Sequence, residues 1–200
     1  MLAETAILAL IVNPSCGAVR LPEQADLARH LVATALQESG GDPLAIGVNA
    51  DPIRHLPADR VQSSTAAEAA TKARSLLEKS RSIDLGLFQI SDRQLPRHHL
   101  AIETAFDPCR NTAAAAHHLA NDFRVAAWDL SHRLYNCGRV DCSEAYAQAV
   151  TARVGAAPDD PSLPPPGCPP GDGDGWHTVA RPTGCPDSTP ETETDEHEDK

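Results

Sequence analysis

Glu38 is the residue whose type and setting invite chemistry. Leu27, Leu31 and Thr34 lie eleven, seven and four positions before it. Those intervals put all four on one stripe of an α-helix, the stripe that faces a core. Gly40 and Gly41 follow directly and stop the helix, so the carboxyl group belongs to its last turn. Burial and the negative end of the helix dipole both disfavour a charge there, and the expected consequence is a raised pKa. A carboxyl group that keeps its proton near neutral pH is what a general acid requires. The competing reading is a helix-end glutamate turned to solvent beside a glycine cap.

Two other places hold polar groups in apolar surroundings. Gln89 stands in the run Ser82-Ile83-Asp84-Leu85-Gly86-Leu87-Phe88-Gln89-Ile90-Ser91, which reads as a buried turn or strand, and Tyr135-Asn136 closes a helical segment that Gly138 stops. Each has a plain structural reading. Gln89 can be a satisfied buried amide, Tyr135 a core phenol with a polar tip, and Asn136 a helix C-terminal residue.

The elements that must position these groups are mostly helices. Leu21-Pro22-Glu23 opens the first, with proline in its first turn, and the helix runs to about Glu38. Residues 42–49 read as a loop, and 50–62, with Pro52 and Pro57, as irregular chain. Thr65 and Glu68 have capping-box spacing and open a helix that reaches about Lys79. Asn111 reads as the N-cap of an Ala-rich helix over about 112–123. A further helix spans about 125–135. Ser143 caps the last, on which Tyr146, Val150 and Val154 share a face before Gly155. An Ala-rich chain with 4% aromatic residues and few β-branched runs fits the same class. The expected fold is all-α, or mainly α.

Charge divides the chain. Residues 156–200 hold eleven acids against Arg181 and Lys200, and read as a disordered acidic tail of Pro, Gly, Asp, Glu and Thr. Residues 1–155 hold seventeen acids against fifteen bases. A near-neutral folded part with no basic stripe argues against a nucleic-acid partner. The stretch Ala6–Val12 is apolar but short and has no preceding Lys or Arg. Residues 1–15 therefore read as a degenerate or truncated export segment, and no stretch is long enough to span a membrane. Six cysteines (Cys16, Cys109, Cys137, Cys142, Cys168 and Cys185) without a C-x-x-C pair suit disulfides in an oxidising compartment. Their number leaves the pairing open. The histidines, including His98-His99 and His117-His118, show no i, i+4 or H-E-x-x-H pattern, so no metal or cofactor is expected.

Taken together in this order, three blocks resemble the lytic transglycosylase family with the goose-type lysozyme fold, and most closely its small periplasmic branch that accompanies conjugation and type IV secretion machines. Gln37–Asn49 is similar to the catalytic-Glu block of that branch. Ser82–Ser91 resembles its Gly-Leu-Met-Gln-Ile block, and Leu134–Gly138 its Tyr-Asn-x-Gly block. Asp107-Pro108-Cys109 before an Ala-rich helix is similar to a segment between the last two. The resemblance covers about residues 16–155, which makes that span one lysozyme-like domain.

The resemblance implies roles. Glu38 matches a lone acid/base that protonates the glycosidic oxygen between N-acetylmuramic acid and N-acetylglucosamine in peptidoglycan. It then takes a proton from the muramoyl C6 hydroxyl as a 1,6-anhydro ring closes. Because the substrate brings its own nucleophile, a second carboxylate is not required, unlike the usual pair in glycoside hydrolysis. None stands out in the sequence: Asp42 and Asp84 adjoin turn signals and read as caps or loop residues. Ser39 matches a hydrogen-bonding neighbour of the acid, Gln89 a substrate-contacting amide, Tyr135 a hydroxyl that orients the carboxyl, and Asn136 a residue lining the sugar cleft.

Phe88 and Ser91 stand where the family usually has Met and Asn. Cys16 and Cys109 look like the family's disulfide, Cys137 with Cys142 would close a tight loop, and Cys168 with Cys185 remain for the tail. The implied setting is the periplasm, with peptidoglycan strands and secretion-machine components as partners. The rivals are a lysozyme on the same fold, with water replacing the C6 hydroxyl, and a non-catalytic wall-binding or assembly protein.

Overall fold

The apolar run near the N-terminus forms the first helix, α1 (Glu4–Ile11), with Ile7 and Ile11 fully buried in the main core. It packs on α2 (Ala25–Ser39) and on α5, described below, and Leu2 N–H donates to the Gly41 carbonyl at 2.6 Å. The core thus begins well before residue 16, in the stretch whose composition alone looks like an export segment. A 3-10 turn, Pro14–Cys16, carries Cys16 into a disulfide with Cys109. The computed structural model describes residues 1–16, 25–123, 128–139, 141, 144–154 and 156. The helix start at Leu21-Pro22-Glu23, the Ser143 cap, Gly155, Cys142, Cys168, Cys185 and the tail beyond residue 156 lie outside them.

Helix α2 carries the stripe expected of it. Leu27, Leu31, Thr34 and Glu38 are all buried, and so is most of the rest of the helix. Gly40 N–H bonds the Leu36 carbonyl at 3.0 Å, where the helix ends.

The next segments differ from the expectation of loop and irregular chain. Ile46–Val48 forms β1 and Asp59–Val61 forms β2. After α3 (Ala66–Glu78) come β3 (Ile83–Leu85) and β4 (Ile90–Ser91). The four strands make one antiparallel sheet in the order β2-β1-β3-β4, with Gly47 paired to Asp84 and Asp84 to Ser91. The fold is therefore mainly helical with a small sheet. The strands are two or three residues long and β1 and β3 are wholly buried, so no alternation of apolar and polar residues marked them.

Thr65 is the N-cap of α3, its side chain accepting from Glu68 N–H at 3.2 Å, while Glu68 in turn accepts from Ser64 N–H. A 3-10 helix, Asp92–His98, and the short α4 (Ile102–Ala105) lead into α5 (Pro108–Phe123). Here the expected cap is corrected. Asp107 accepts from Arg110 N–H at 3.0 Å and Pro108 takes the first helical position, so Asn111 sits inside the first turn with its amide free for other work.

Helices α6 (Trp128–Cys137) and α7 (Glu144–Arg153) complete the described chain. Tyr146 and Val150 of α7, with Val154 beside them, close on Ala33 of α2. Between α2 and α6, His30 Nδ1 and His132 Nε2 are 2.8 Å apart, and His30 stacks on Trp128 with ring centroids 3.9 Å apart. Burial lowers both imidazoles, His30 to about 4 and His132 to about 3. Both are therefore neutral at pH 7, and one donates to the other.

Candidate active site

The site is built around the turn joining β3 to β4. Gly86 has φ +78°, and a Cβ there would lie 2.5 Å from the Ala105 carbonyl, so both its conformation and its surroundings call for glycine. Asn111 holds the turn from α5. Its Nδ2 donates to the Leu85 and Ala105 carbonyls at 3.0 and 2.9 Å, and its Oδ1 accepts from Phe88 N–H at 2.8 Å. From α2, the Ser39 hydroxyl donates to the Leu87 carbonyl at 2.7 Å. From α6, the Tyr135 hydroxyl donates to the Phe88 carbonyl at 2.9 Å. Gln89, a non-glycine at φ 47°, donates from Nε2 to the Gly86 and Ala45 carbonyls at 2.8 and 3.3 Å. Side chains thus satisfy backbone groups that the tight turn leaves unpaired, and they fix it against three helices.

Glu38 approaches from the end of α2. Its side chain is 8% exposed, and Tyr146 of α7 donates a hydrogen bond of 2.5 Å to its Oε1. Burial, then the Glu38 charge, pushes the Tyr146 phenol well above its ordinary value, so it stays protonated and remains a donor. Tyr135 is raised for the same first two reasons, with Asp122 and Asp84 adding to them. Arg60 of β2 donates to the Glu38 backbone carbonyl at 3.2 Å, placing a cation at the negative end of the α2 dipole.

Glu38, Gln89, Tyr135 and Asn136 line one cleft, together with Asp84, Ser91, Gln94 and His118. Asp84 and Ser91, paired across β3 and β4, both contribute to its wall. A Cβ on Gly47 would sit 2.7 Å from Gln89 Oε1, so the missing side chain is what lets the Gln89 amide pack against β1. Asp84 is 2% exposed and its Oδ2 accepts from Asn49 Nδ2 at 3.0 Å.

His118 forms part of the wall and packs on Tyr135, with ring centroids 5.1 Å apart. Burial holds its imidazole at about 4, with smaller contributions from His98, Arg97 and His117. Burial also raises Asp122 to about 6, against the pull of Arg97. The 3.5 Å approach of His118 Nε2 to Asp122 Oδ2 is therefore, at pH 7, that of a neutral ring to a carboxylate and not an ion pair. Among the described residues, no group of three His, Cys, Asp or Glu side chains is arranged to hold a metal ion.

Of the residues singled out from sequence, Glu38, Gln89, Tyr135 and Asn136 meet in the cleft, while Ser39 faces the turn behind it. The phenol on the Glu38 carboxyl is Tyr146, and the Tyr135 hydroxyl goes to the Phe88 carbonyl instead. Tyr146 reads from sequence only as a core position on α7. Its buried hydroxyl, which must find a partner, was the available signal. Asp84 is a strand-centre carboxylate in the cleft and not a cap or loop residue, so the site does contain a second acid. Asn111, read as a helix cap, ties the turn. Cys16 pairs with Cys109, and Cys137 is also disulfide-bonded.

Comparison with known proteins agrees with this geometry. The chain is 30% identical over 153 residues to the type IV secretion system protein virB1 of Brucella abortus, and equally to those of Brucella melitensis and Brucella suis. The match takes in 76% of this chain and 59% of the Brucella proteins, so the chain spans less than two thirds of their length. No solved structure matches. Residues 23–153, which hold Glu38, the turn and Tyr146, match the transglycosylase SLT domain, and the chain belongs to that family.

Proposed function

We propose that this protein is a peptidoglycan lytic transglycosylase with Glu38 as its general acid/base. It cleaves the bond between N-acetylmuramic acid and N-acetylglucosamine and leaves a 1,6-anhydromuramoyl end. The observation that carries the reading is the Glu38 carboxyl: nearly buried, fixed by Tyr146, and opening on a cleft lined by amides and the Tyr135 ring. Burial favours the protonated acid that the first step needs, while the Tyr146 donor favours the carboxylate that the second step needs. Opposed influences of this kind suit a group that must serve in both directions. Gln89, Tyr135 and Asn136 flank the sugar, and Ser39 holds the turn that presents Gln89.

The Brucella relatives are named as type IV secretion system proteins. We infer the same setting here: local opening of the periplasmic wall for a secretion or conjugation apparatus. Among the described residues no helix is long and apolar enough to cross a membrane. A second reading, a lysozyme that uses water in place of the C6 hydroxyl, draws on Asp84, the other carboxylate in the cleft. Mass spectrometry of muropeptides released from purified sacculi separates the two. Anhydro ends are expected, and reducing ends without anhydro sugar would replace the first reading by the second.

A further inference from the structure

We propose that Asp84 is the fixed anion of the cleft, the group that stabilises the positive charge developing at the muramoyl C1 as the glycosidic bond breaks. The inference rests on the Glu38 reading and adds a catalytic residue to it.

Asp84 is placed as such a group must be. It occupies the middle of β3, paired on one side with Gly47 and on the other with Ser91, so its backbone has little freedom. Its side chain lines the same cleft as Glu38, which comes from α2, a separate element of the wall. Asn49 donates to Oδ2 at 3.0 Å, and Asn49 is itself held by Ser82 Oγ at 3.3 Å. Tyr135 lines the cleft together with Glu38 and Asp84. A strand-centre acid at 2% exposure is an expensive placement, since an asparagine or serine there would also give Asn49 an acceptor.

The chemistry supplies a use for that placement. Glu38 gives its proton to the glycosidic oxygen, and the C1–O electron pair leaves with the departing sugar. C1 and the ring oxygen then share a positive charge, which a preoriented anion in a water-poor cleft stabilises strongly. The C6 oxygen bonds to C1, and its proton goes to the Glu38 carboxylate. Asp84 makes no bond and moves no proton. It acts by charge alone, and it would act in the same way if water were the nucleophile.

The test compares wild type, Asp84→Asn and Glu38→Gln in muropeptide release from purified sacculi, with thermal melting on each protein. Asp84→Asn keeps the shape and removes the charge. It should lower kcat about 100-fold with KM within about threefold, the size of effect seen when a preorganised electrostatic group is removed. Asp84→Ala supplies a second arm, because added formate can occupy the vacated space. Formate should raise its rate and leave that of Glu38→Gln unchanged. Asp84→Asn turning over like wild type would overturn the proposal, as would a loss confined to KM or a folded Asp84→Ala that formate does not help. No release by wild type would instead overturn the transglycosylase reading on which the proposal rests.

Discussion

Tyr146 Oη lies 2.5 Å from Glu38 Oε1, a hydrogen bond between α7 and α2 across 108 residues of chain. It joins the last described helix to the Glu38 carboxyl, so the docking of α7 on Ala33 also sets where the acid points. Replacing Tyr146 by Phe keeps the ring and deletes the donor. A hydrogen bond to a charged group is worth about 1.5–3 kcal/mol, which corresponds to roughly a 10- to 150-fold fall in kcat. Steady-state kinetics on sacculi should show that fall with KM little changed.

Asn111 makes two hydrogen bonds to the turn that carries Gln89 and a third to the Ala105 carbonyl at the end of α4. Asn111→Ala strands two carbonyls and one N–H in a buried place, at about 1–3 kcal/mol each. Urea denaturation should show a loss of at least about 3 kcal/mol. Asn111→Asp keeps an acceptor for Phe88 N–H and loses the donors, so it too should be less stable than wild type.

Gly47→Ala separates stability from activity. The backbone of Gly47 is not in the left-handed region, and the atom in the way is the far end of the Gln89 side chain. The fold should change by less than about 1 kcal/mol, because the clash can be relieved by a rotamer shift. Turnover should still fall, since relieving the clash displaces the Gln89 amide that lines the cleft. A melting temperature and a rate measured on one preparation check both halves.

Acid should destabilise the protein before it titrates ordinary carboxylates. Burial holds His30 and His118 at about 4 and His132 at about 3, against 6.5 for an imidazole free in water. Unfolded histidines therefore bind protons that the folded ones refuse, and stability is lost as pH falls from about 6.5 towards about 4 and 3. Asp122, raised from 3.8 to about 6, acts the other way over part of that window. It is one group against three, so the net slope is a loss. Melting temperature should drop steadily below pH 6.5. The double variant His30→Phe with His132→Leu should flatten that drop, even if it is less stable at pH 7.

What could be read from the sequence followed the periodic elements. The Glu38 stripe and the Thr65 cap are legible because a helix repeats its pattern over several turns and marks its start chemically. The sheet was legible only as a turn-or-strand choice over Ser82–Ser91, and β1 and β2 not at all: two- and three-residue strands interrupted by turns carry no period. Asp84 was obscured for the same reason, because its neighbour Gly86 made the segment look like a turn. Asn111 was misplaced since an asparagine shortly after Pro108 has the form of a cap, while Asp107 performs that role. The link from Tyr146 to Glu38 depends on how α7 docks, a tertiary contact that spacing along the chain does not encode. In the same way, Ile7 and Ile11 look from composition like an export run, and only their burial shows them to be core.

The most direct measurement is the product profile of wild type and Glu38→Gln on the same purified sacculi, read by mass spectrometry alongside a zymogram. The amide keeps the size of the side chain and cannot donate or take up the proton. Wild type should release anhydromuropeptides, and Glu38→Gln, with an unchanged melting curve, should release at least about 1000-fold less, the scale of losing the acid and the base together. Equal clearing by the two proteins would contradict a catalytic Glu38.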